Sequence, residues 1–150
     1  MKPEDKYHVG IIVDDFDETL AWYSKVFGYR WAEPVDVANP IVTPAGEQTV
    51  QMRMTYSVEE PRIEIIQSIP GTLWEPADSG VHHVGYWTDD VVGDVATLTA
   101  SGMTLDVSGL FPDGSMMWAY CGAPGRQRTE LVSRALEPSM RQWWASGAAR

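Results

Sequence analysis

Two histidines and two glutamates occupy matching positions in the two halves of this 150-residue chain. His8 opens the segment His-Val-Gly-Ile-Ile-Val-Asp-Asp, and His83 opens His-Val-Gly-Tyr-Trp-Thr-Asp-Asp. Later in each half, Glu64 lies within Arg-Ile-Glu-Ile-Ile and Glu130 within Arg-Thr-Glu-Leu-Val. An internal repeat implies two copies of one structural unit. Two imidazoles and two carboxylates brought together in this way predict a site for one divalent ion: Zn, Ni, Co, Mn or Fe.

The adjacent pair His82 and His83 raises the question of which one binds the metal. Neighbouring side chains of a strand point to opposite faces, so only one of them can face the same side as His8. The register of the repeat selects His83. We expect His82 on the far face, as a structural or solvent-exposed histidine whose removal largely spares metal binding.

Both glutamates lie inside apolar strand segments, where a carboxylate is costly unless it is paired or bound to a metal. Arg62 and Arg128 each precede one of the glutamates by two residues. The arginines could form structural salt bridges with Glu64 and Glu130, or the glutamates could face solvent. Alternatively, the arginines could support the metal ligands or contact an anionic substrate.

Each half of the chain has the pattern strand, helix, strand, strand, strand. The helices, over 15–27 and 90–101, each follow an Asp pair that can cap them, and each ends at a glycine. In the first half we predict strands over 6–13, 29–35, 49–56 and 61–67, with a loop over 36–48. In the second half we predict strands over 81–88, 104–107, 115–120 and 128–133, with a turn at 112–114.

A unit of this kind has one bare sheet face, so two units must pair to bury it. The sequence therefore predicts an α+β fold in which two tandem βαβββ modules, over 6–67 and 81–133, form one cleft-shaped mixed sheet. A linker over 68–80 joins them within a single domain, 1–150. Residues 134–150 are expected to form a short C-terminal helix and tail, in which Trp143 and Trp144 are candidates for a contact or a lid.

Composition narrows the possible partners and the location of the protein. A formal net charge of −10 without a basic stripe argues against nucleic acid as a partner. No run approaches the roughly 18 apolar residues that a membrane span needs, so no membrane association is expected. The single cysteine, Cys121, suits a reducing cytoplasm. The 7 Trp and 7 Met residues favour a homodimer, and some of the Trp side chains could line a pocket for a flat or apolar ligand.

Over residues 6–133 the chain resembles the vicinal oxygen chelate superfamily. This superfamily includes glyoxalase I, methylmalonyl-CoA epimerase, extradiol dioxygenases, and the fosfomycin and bleomycin resistance proteins. The resemblance rests on the segment that begins at His8, on Gly80-Val81-His82-His83-Val84-Gly85, and on the Arg-Thr-Glu-Leu-Val segment around Glu130. It implies the glyoxalase-like fold and a metal held by His8, Glu64, His83 and Glu130.

The resemblance also implies a chemistry. With all four ligand positions present, the resemblance favours glyoxalase I and the epimerases, in which the metal stabilises an enolate formed by α-proton removal. The expected function is that of a metal-dependent isomerase, epimerase or lyase acting on a small carbonyl or acyl-thioester substrate. Glu47 begins Glu-Gln-Thr-Val, 17 residues before Glu64, and resembles the Glu-Gln-x-Val of the epimerases that supplies a base. Glu47 could equally be an ordinary loop residue, and a metal-displaced Glu130 would then be the base.

Two other functions stay open from the sequence. The chain could be a binding protein that sequesters an aromatic drug or metabolite without turnover, because resistance proteins share the superfamily. It could also be an Fe(II) ring-cleaving dioxygenase, although those enzymes use three ligands and have no need of Glu64. The segment from Cys121 to Gly125 also departs from the Asp-Pro-x-Gly that many members carry.

Overall fold

The computed structural model describes residues 1–147, in which eight strands curve into a closed barrel. The strand order around the barrel is β1-β4-β3-β2-β6-β7-β8-β5. The elements are β1 (Lys6–Val13), α1 (Phe16–Phe27), β2 (Val35–Thr43), β3 (Gly46–Tyr56), β4 (Arg62–Gln67), β5 (His83–Thr88), α2 (Val91–Ala100), β6 (Thr104–Leu110), β7 (Met116–Gly122), β8 (Arg128–Ser133) and α3 (Glu137–Ala145), with short 3-10 helices at Pro3–Asp5 and Arg134–Leu136.

The two halves of the barrel repeat one βαβββ unit, as the sequence predicted. In the first unit β1 runs parallel to β4, with Gly10 opposite Glu64. In the second, β5 runs parallel to β8, with Gly85 opposite Glu130. The units join through the antiparallel pairing of β1 with β5 and through β2 with β6. The predicted cleft is the interior of this closed sheet.

The Asp pair that follows each histidine segment starts a helix. The Asp15 side chain accepts a hydrogen bond from the Glu18 N–H, and Asp90 accepts one from the Gly93 N–H. These carboxylates satisfy backbone donors that the first helical turn leaves unpaired. Gly28 ends α1 with a φ of 79°, a left-handed conformation that favours glycine.

Strand alternation divides the apolar residues into an interior layer and two outer layers. On β4, Glu64 and Ile66 face the barrel interior, whereas Ile63 and Ile65 pack beneath α1 against Phe16. The second unit repeats this division, because its outer layer packs beneath α2. The strands beneath the two helices therefore carry apolar residues on both faces, and the buried glutamates of β4 and β8 are exceptions to this pattern.

The prediction between α1 and β3 was wrong. Residues 29–34 contain only an isolated bridge from Trp31 to Ser57 instead of a strand, and the predicted loop over 36–48 contains nearly all of β2, its hairpin turn and the start of β3. Pro40 suggested a loop, yet it pairs opposite Thr49. It is tolerated because β2 is extensively paired only with β3, and its ladder with β6 is limited to Val42 opposite Ser108.

The predicted C-terminal helix is present as α3, which packs against the barrel interior. Trp144 is 3% exposed and stacks over Arg62, and Trp143 lines the interior cavity while its Nε1 donates to the Glu33 carbonyl. These two tryptophans therefore belong to the barrel's own packing. Residues 148–150 of the predicted tail lie outside the described residues. None of the helices within residues 1–147 is long and apolar enough to cross a membrane.

Candidate metal centre

The four sequence-predicted ligands converge inside the barrel. His8 and His83 come from the adjacent strands β1 and β5, and Glu64 and Glu130 come from the flanking strands β4 and β8. All four are buried, and their ligating atoms lie within 4.8 Å of one another. The parallel pairing in each unit places each glutamate beside the strand of its own histidine, and the β1–β5 pairing brings the two units together.

The distances within this cluster show a pseudo-twofold arrangement across the units. The two Nε2 atoms of His8 and His83 are 3.0 Å apart. His8 Nε2 lies 3.1 Å from Glu130 Oε2 and 3.6 Å from Glu64 Oε2. His83 Nε2 lies 3.0 Å from Glu64 Oε2 and 3.6 Å from Glu130 Oε2. Each histidine is thus closer to the glutamate of the other unit, so neither unit alone forms the cluster.

These donors fit a divalent ion. Ligands about 2.0–2.2 Å from one ion, at angles between tetrahedral and octahedral values, lie roughly 2.8–3.6 Å apart. The five separations given above, from 3.0 to 3.6 Å, match this range. Both glutamate Oε2 atoms are also buried without a well-directed hydrogen bond. Burying a carboxylate oxygen without a partner costs free energy, and a bound cation would compensate for this. The mixed nitrogen and oxygen donors suit a borderline divalent metal.

Two glycines of the repeat make room for the histidine rings. A Cβ added at Gly10 would lie 1.8 Å from His83 Cε1, and one at Gly85 would lie 1.9 Å from His8 Cε1. Each glycine therefore packs against the histidine of the other unit. In the sequence repeat each glycine follows its histidine by two residues. The role of these glycines depends on the β1–β5 pairing and was not predicted.

His82 is buried and contacts the metal-ligand candidate beside it. Its Nδ1 lies 3.0 Å from His83 Nδ1, and its Nε2 lies 2.9 Å from the Leu73 carbonyl oxygen. If Nε2 of His83 faces the metal, its Nδ1–H donates to His82 Nδ1, and His82 Nε2–H donates to Leu73. Burial first, then the nearby His83 and Arg128, lower the pKa of His82 to about 4, which keeps the ring neutral as this chain of donors requires.

This contact corrects the expectation for His82. The sequence placed it on the far face, independent of the metal. His82 lies just before the start of β5 rather than within the strand. The alternation of side chains along a strand therefore does not place the rings of His82 and His83 on opposite faces. A hydrogen-bond partner on the outer nitrogen of a metal-binding histidine fixes the orientation of its ring.

His8 has no equivalent support on its outer nitrogen. Its Nδ1 is buried without a hydrogen-bond partner among the described residues. Burial alone would lower the pKa of His8, but contact with Glu130 and Glu64 raises it to about 9. The same contacts, made by His8 and His83, outweigh burial and hold the pKa of Glu64 well below its ordinary value. The metal-free cluster therefore carries a proton that a metal must displace.

A tyrosine stands opposite each glutamate, a feature the sequence analysis missed. Tyr56 on β3 pairs with Glu64, and Tyr120 on β7 pairs with Glu130. Burial first, and then the charge of the facing carboxylate, raises the pKa of both phenols well above the ordinary value. Both are therefore neutral O–H groups near neutral pH. The available signal was an aromatic strand residue eight to ten positions before each glutamate, but the pairing register was needed to interpret it.

The two arginines near the glutamates contact other groups. Arg62 donates to the carbonyl oxygens of Ser57 and Val58. Arg128 forms an ion pair with Asp106 at 3.1 Å, and its Nη1 lies 3.2 Å from His82 Nε2, next to the candidate ligand His83. Among the interactions of the described residues, neither arginine bridges Glu64 or Glu130, so the salt-bridge interpretation of these glutamates does not hold in this structure.

Glu47 lies away from the cluster. It is exposed near the start of β3, opposite Val42 and beside the hairpin turn. Nine residues separate it from Tyr56, the residue that pairs with Glu64, which corresponds to about 30 Å of extended strand. The structure therefore does not bring the candidate base Glu47 to the candidate metal ligands.

Glu64 and Glu130 face an interior cavity of about 290 Å³. Part of the cavity lining comes from α3 and the 3-10 helix before it, through Leu136, Met140 and Trp143. Tyr56 and Tyr120 also line the cavity. A molecule in this space would contact the carboxylates, the phenols and any ion held between them.

Solved structures with a similar fold include two methylmalonyl-CoA epimerases. One, in complex with methylmalonyl-CoA and NH4+, has 21% identity, covers 87% of this chain and 94% of that chain, and gives a TM-score of 0.52. The epimerase from Mycobacterium tuberculosis has 17% identity, covers 91% of each chain and gives 0.52. A hypothetical protein from Bacillus halodurans C-125 has 12% identity, covers 86% of this chain and 93% of that chain, and gives 0.58. At these identities the likeness establishes the fold.

Sequence comparisons identify the family. The uncharacterized protein YwbC of Bacillus subtilis (strain 168) is 28% identical over 87 residues, which are 58% of this chain. The match spans 63% of the length of that relative. The model of the Glyoxalase/Bleomycin resistance protein/Dioxygenase superfamily matches residues 7–120, well over half of the chain and both histidine segments. The chain therefore belongs to the Glyoxalase/Bleomycin resistance protein/Dioxygenase superfamily.

Proposed function

We propose that this protein is a divalent-metal-dependent isomerase, epimerase or lyase that moves the proton next to the carbonyl of a small carbonyl or acyl-thioester substrate. The observation that carries the proposal is the buried cluster of two histidines and two glutamates on the wall of a cavity. The methylmalonyl-CoA epimerases with the same fold support it, because they give a precedent for such chemistry in this architecture.

His8, Glu64, His83 and Glu130 would hold the ion, which could be Zn, Ni, Co, Mn or Fe. When bound, such an ion supplies Lewis-acid polarisation of the carbonyl oxygen, which makes the neighbouring proton more acidic. The buried tyrosine phenols can donate hydrogen bonds to a carboxylate or to a substrate oxygen. The apolar wall around them excludes water from the reacting atoms.

The proposed base is Glu130. Among the described residues that line the cavity, Glu64 and Glu130 are the carboxylates. The Glu130 side chain is 8% exposed, compared with 2% for Glu64, so it is the more accessible of the two to a bound molecule. In this role Glu130 would be displaced from the ion by the substrate. Tyr120 stands opposite it and can donate a hydrogen bond to one of its oxygens while the other accepts the substrate proton.

The test is exchange of the α-proton with solvent deuterium, followed by NMR. The probes are methylmalonyl-CoA and the α-hydroxy ketone 2-hydroxypropiophenone, each with metal-loaded and chelator-treated protein. We expect metal-dependent exchange with at least one probe. Exchange in neither probe with metal-loaded protein contradicts the proposal.

Two matched substitutions locate the base. Glu130→Gln should slow exchange by roughly 10²–10⁴-fold, the usual effect of losing a general base. Glu47→Gln should leave the rate unchanged, since Glu47 lies outside the cavity. Metal content is measured on each variant, so that loss of the ion is separated from loss of the base. Full exchange in a metal-loaded Glu130→Gln variant excludes Glu130, and slow exchange in Glu47→Gln restores that residue to the mechanism.

A second candidate function is binding without turnover. The specific observation in its favour is the apolar, aromatic character of the cavity, which suits retention of a flat organic molecule. Tight binding of such a molecule together with absent exchange, in protein that carries its metal, identifies this alternative.

A homodimer and a cytoplasmic location remain predictions. The structure adds a candidate contact surface for the dimer, because α1 exposes Trp22, Val26 and Phe27 to solvent by 49%, 51% and 60%. Exposed apolar patches of this kind are common at subunit contacts. Sedimentation equilibrium at micromolar concentration is expected to give twice the chain mass of 16.7 kDa, and a monomer contradicts the prediction.

A further inference from the structure

The cavity beside the metal-ligand candidates is lined mainly by apolar side chains. Tryptophans and methionines are the largest group among them, and such residues fit flat or irregular apolar ligands. They include Trp74, Trp118, Met140 and Trp143. The polar members of the lining are Asn39, three tyrosines and the two glutamates.

The charged side chains that line the cavity are both carboxylates. Among residues 1–147, no lysine or arginine lines it. Arg53 on β3 pairs with Asp17 on the outside of the barrel, and Arg62 and Arg128 are occupied as described above. The charges of two carboxylates and one divalent ion cancel formally. A carboxylate or phosphate elsewhere on a bound molecule would therefore be buried without a cation to compensate it.

The size of the cavity also restricts its occupant. A volume of about 290 Å³ lies at the small end of the roughly 300–1,000 Å³ of ligand pockets. A single ring with a short side chain fits this space. The nucleotide of an acyl-CoA would have to remain outside the cavity. The free carboxylate of a malonyl-type acyl group would lie inside it without a lining cation to pair with.

We propose that the reacting part of the substrate is a compact, uncharged aromatic or branched apolar carbonyl compound. This inference rests on the proposed function, since it assigns the substrate class of the same site. The carbonyl would lie towards Glu64 and Glu130, and the apolar part would lie against Trp74, Trp118 and Met140. The selection against a second negative charge comes from the absence of a cation in the described lining.

Two probes that differ only at the far end of the ring test this assignment. They are 2-hydroxy-4′-methylacetophenone and the corresponding 4-carboxylate, 4-(hydroxyacetyl)benzoate, which share the same metal-facing hydroxy ketone. Binding to metal-loaded protein is followed by tryptophan fluorescence. We expect the methyl compound to bind at least about 10-fold more tightly, because the carboxylate must be buried unpaired.

A charge placed on the cavity wall should reverse this preference. Met140→Lys adds an ammonium group on the face of α3 that lines the cavity and should improve binding of the carboxylate probe. Ser139→Lys adds the same charge at the exposed neighbouring position and should leave both affinities unchanged. Equal or tighter binding of the carboxylate by the wild-type protein overturns the assignment, as does failure of the methyl compound to bind. Failure of the proposed function appears differently, as binding of the methyl compound without any proton exchange.

Discussion

His8 and His83 occupy equivalent positions in the two units, yet the surroundings of their outer nitrogens differ. His83 Nδ1 lies 3.0 Å from His82, which is itself anchored to the Leu73 carbonyl of the linker. Among residues 1–147, His8 Nδ1 has no hydrogen-bond partner, and the residue before His8 is Tyr7, whose ring centroid lies 4.4 Å from that of the imidazole. The repeat thus preserves the Nε2 side of both histidines, which faces the glutamates, and provides hydrogen-bonded support on the Nδ1 side of only one.

This difference shows that the symmetry of the site is local. The Nε2 and Oε2 distances repeat almost identically across the two units, because they depend on strand pairing that both units share. The outer contacts depend on single residues next to the strands and are free to diverge. We therefore expect the two units to respond similarly when a ligand is removed and differently when its support is removed.

Removal of a ligand should have the largest effect. His83→Ala and His8→Ala each delete one donor of the cluster and leave the two glutamates with less compensation. Each should reduce metal affinity by more than the roughly 10–100-fold that loss of a supporting partner causes. Calorimetric titration with Co²⁺ measures the effect. Wild-type affinity in either variant shows that the ion binds elsewhere.

The glycines that pack on the rings give the next prediction. Gly85→Ala forces a methyl group into His8, and Gly10→Ala does the same to His83, so each should destabilise the fold by about 1–3 kcal/mol or more. Urea unfolding measures this. The cost of Gly85→Ala should shrink in a His8→Ala background, and an equal cost in both backgrounds means that the clash is not with this ring.

Removing the residue that precedes each histidine should affect metal binding differently in the two units. His82→Ala removes the partner of His83 and should weaken metal binding by about 10–100-fold. Tyr7→Phe, at the equivalent position of the first unit, removes a hydroxyl and leaves the ring in place, so metal binding should be nearly unchanged. Competition with a chelator of known affinity compares the two. Equal losses in both variants contradict the asymmetry.

The last prediction of this comparison concerns pH. Because the pKa of His8 is raised from 6.5 to about 9 in the metal-free cluster, a metal must displace a proton at pH 7. Metal affinity should therefore rise between pH 7 and 9, by about tenfold per pH unit while one proton is displaced. Stability of the metal-free protein should follow the opposite sign, since the contribution of protonated His8 is complete below pH 6.5 and is lost as the pH rises through about 9. Flat profiles contradict this.

The fold class and the four converging residues could be predicted because each signal occurs twice. The histidine segments and the glutamate strands repeat in the same order, and a repeat constrains which residues share a face. Helix starts were also predictable, since Asp15 and Asp90 cap locally.

The remaining features depend on how neighbouring strands are aligned with each other, which the sequence of a single strand does not determine. Tyr56 and Tyr120 become relevant only through pairing with the glutamates. Glu47 lies away from the cluster because the β2–β3 turn falls at residues 44–45, two residues before it, so the residue lies near the tip of a long hairpin. A proline in β2 concealed the strand that sets this geometry.

The central claim is that one divalent ion binds between the two units, and metal analysis of the protein tests it most directly. Protein purified without chelator is analysed for metals by mass spectrometry, before and after dialysis against Zn²⁺, Mn²⁺, Co²⁺ and Ni²⁺, beside the His83→Ala variant. The account predicts one divalent ion per wild-type chain and none in the variant. A wild-type protein that neither carries nor takes up any of these ions contradicts it.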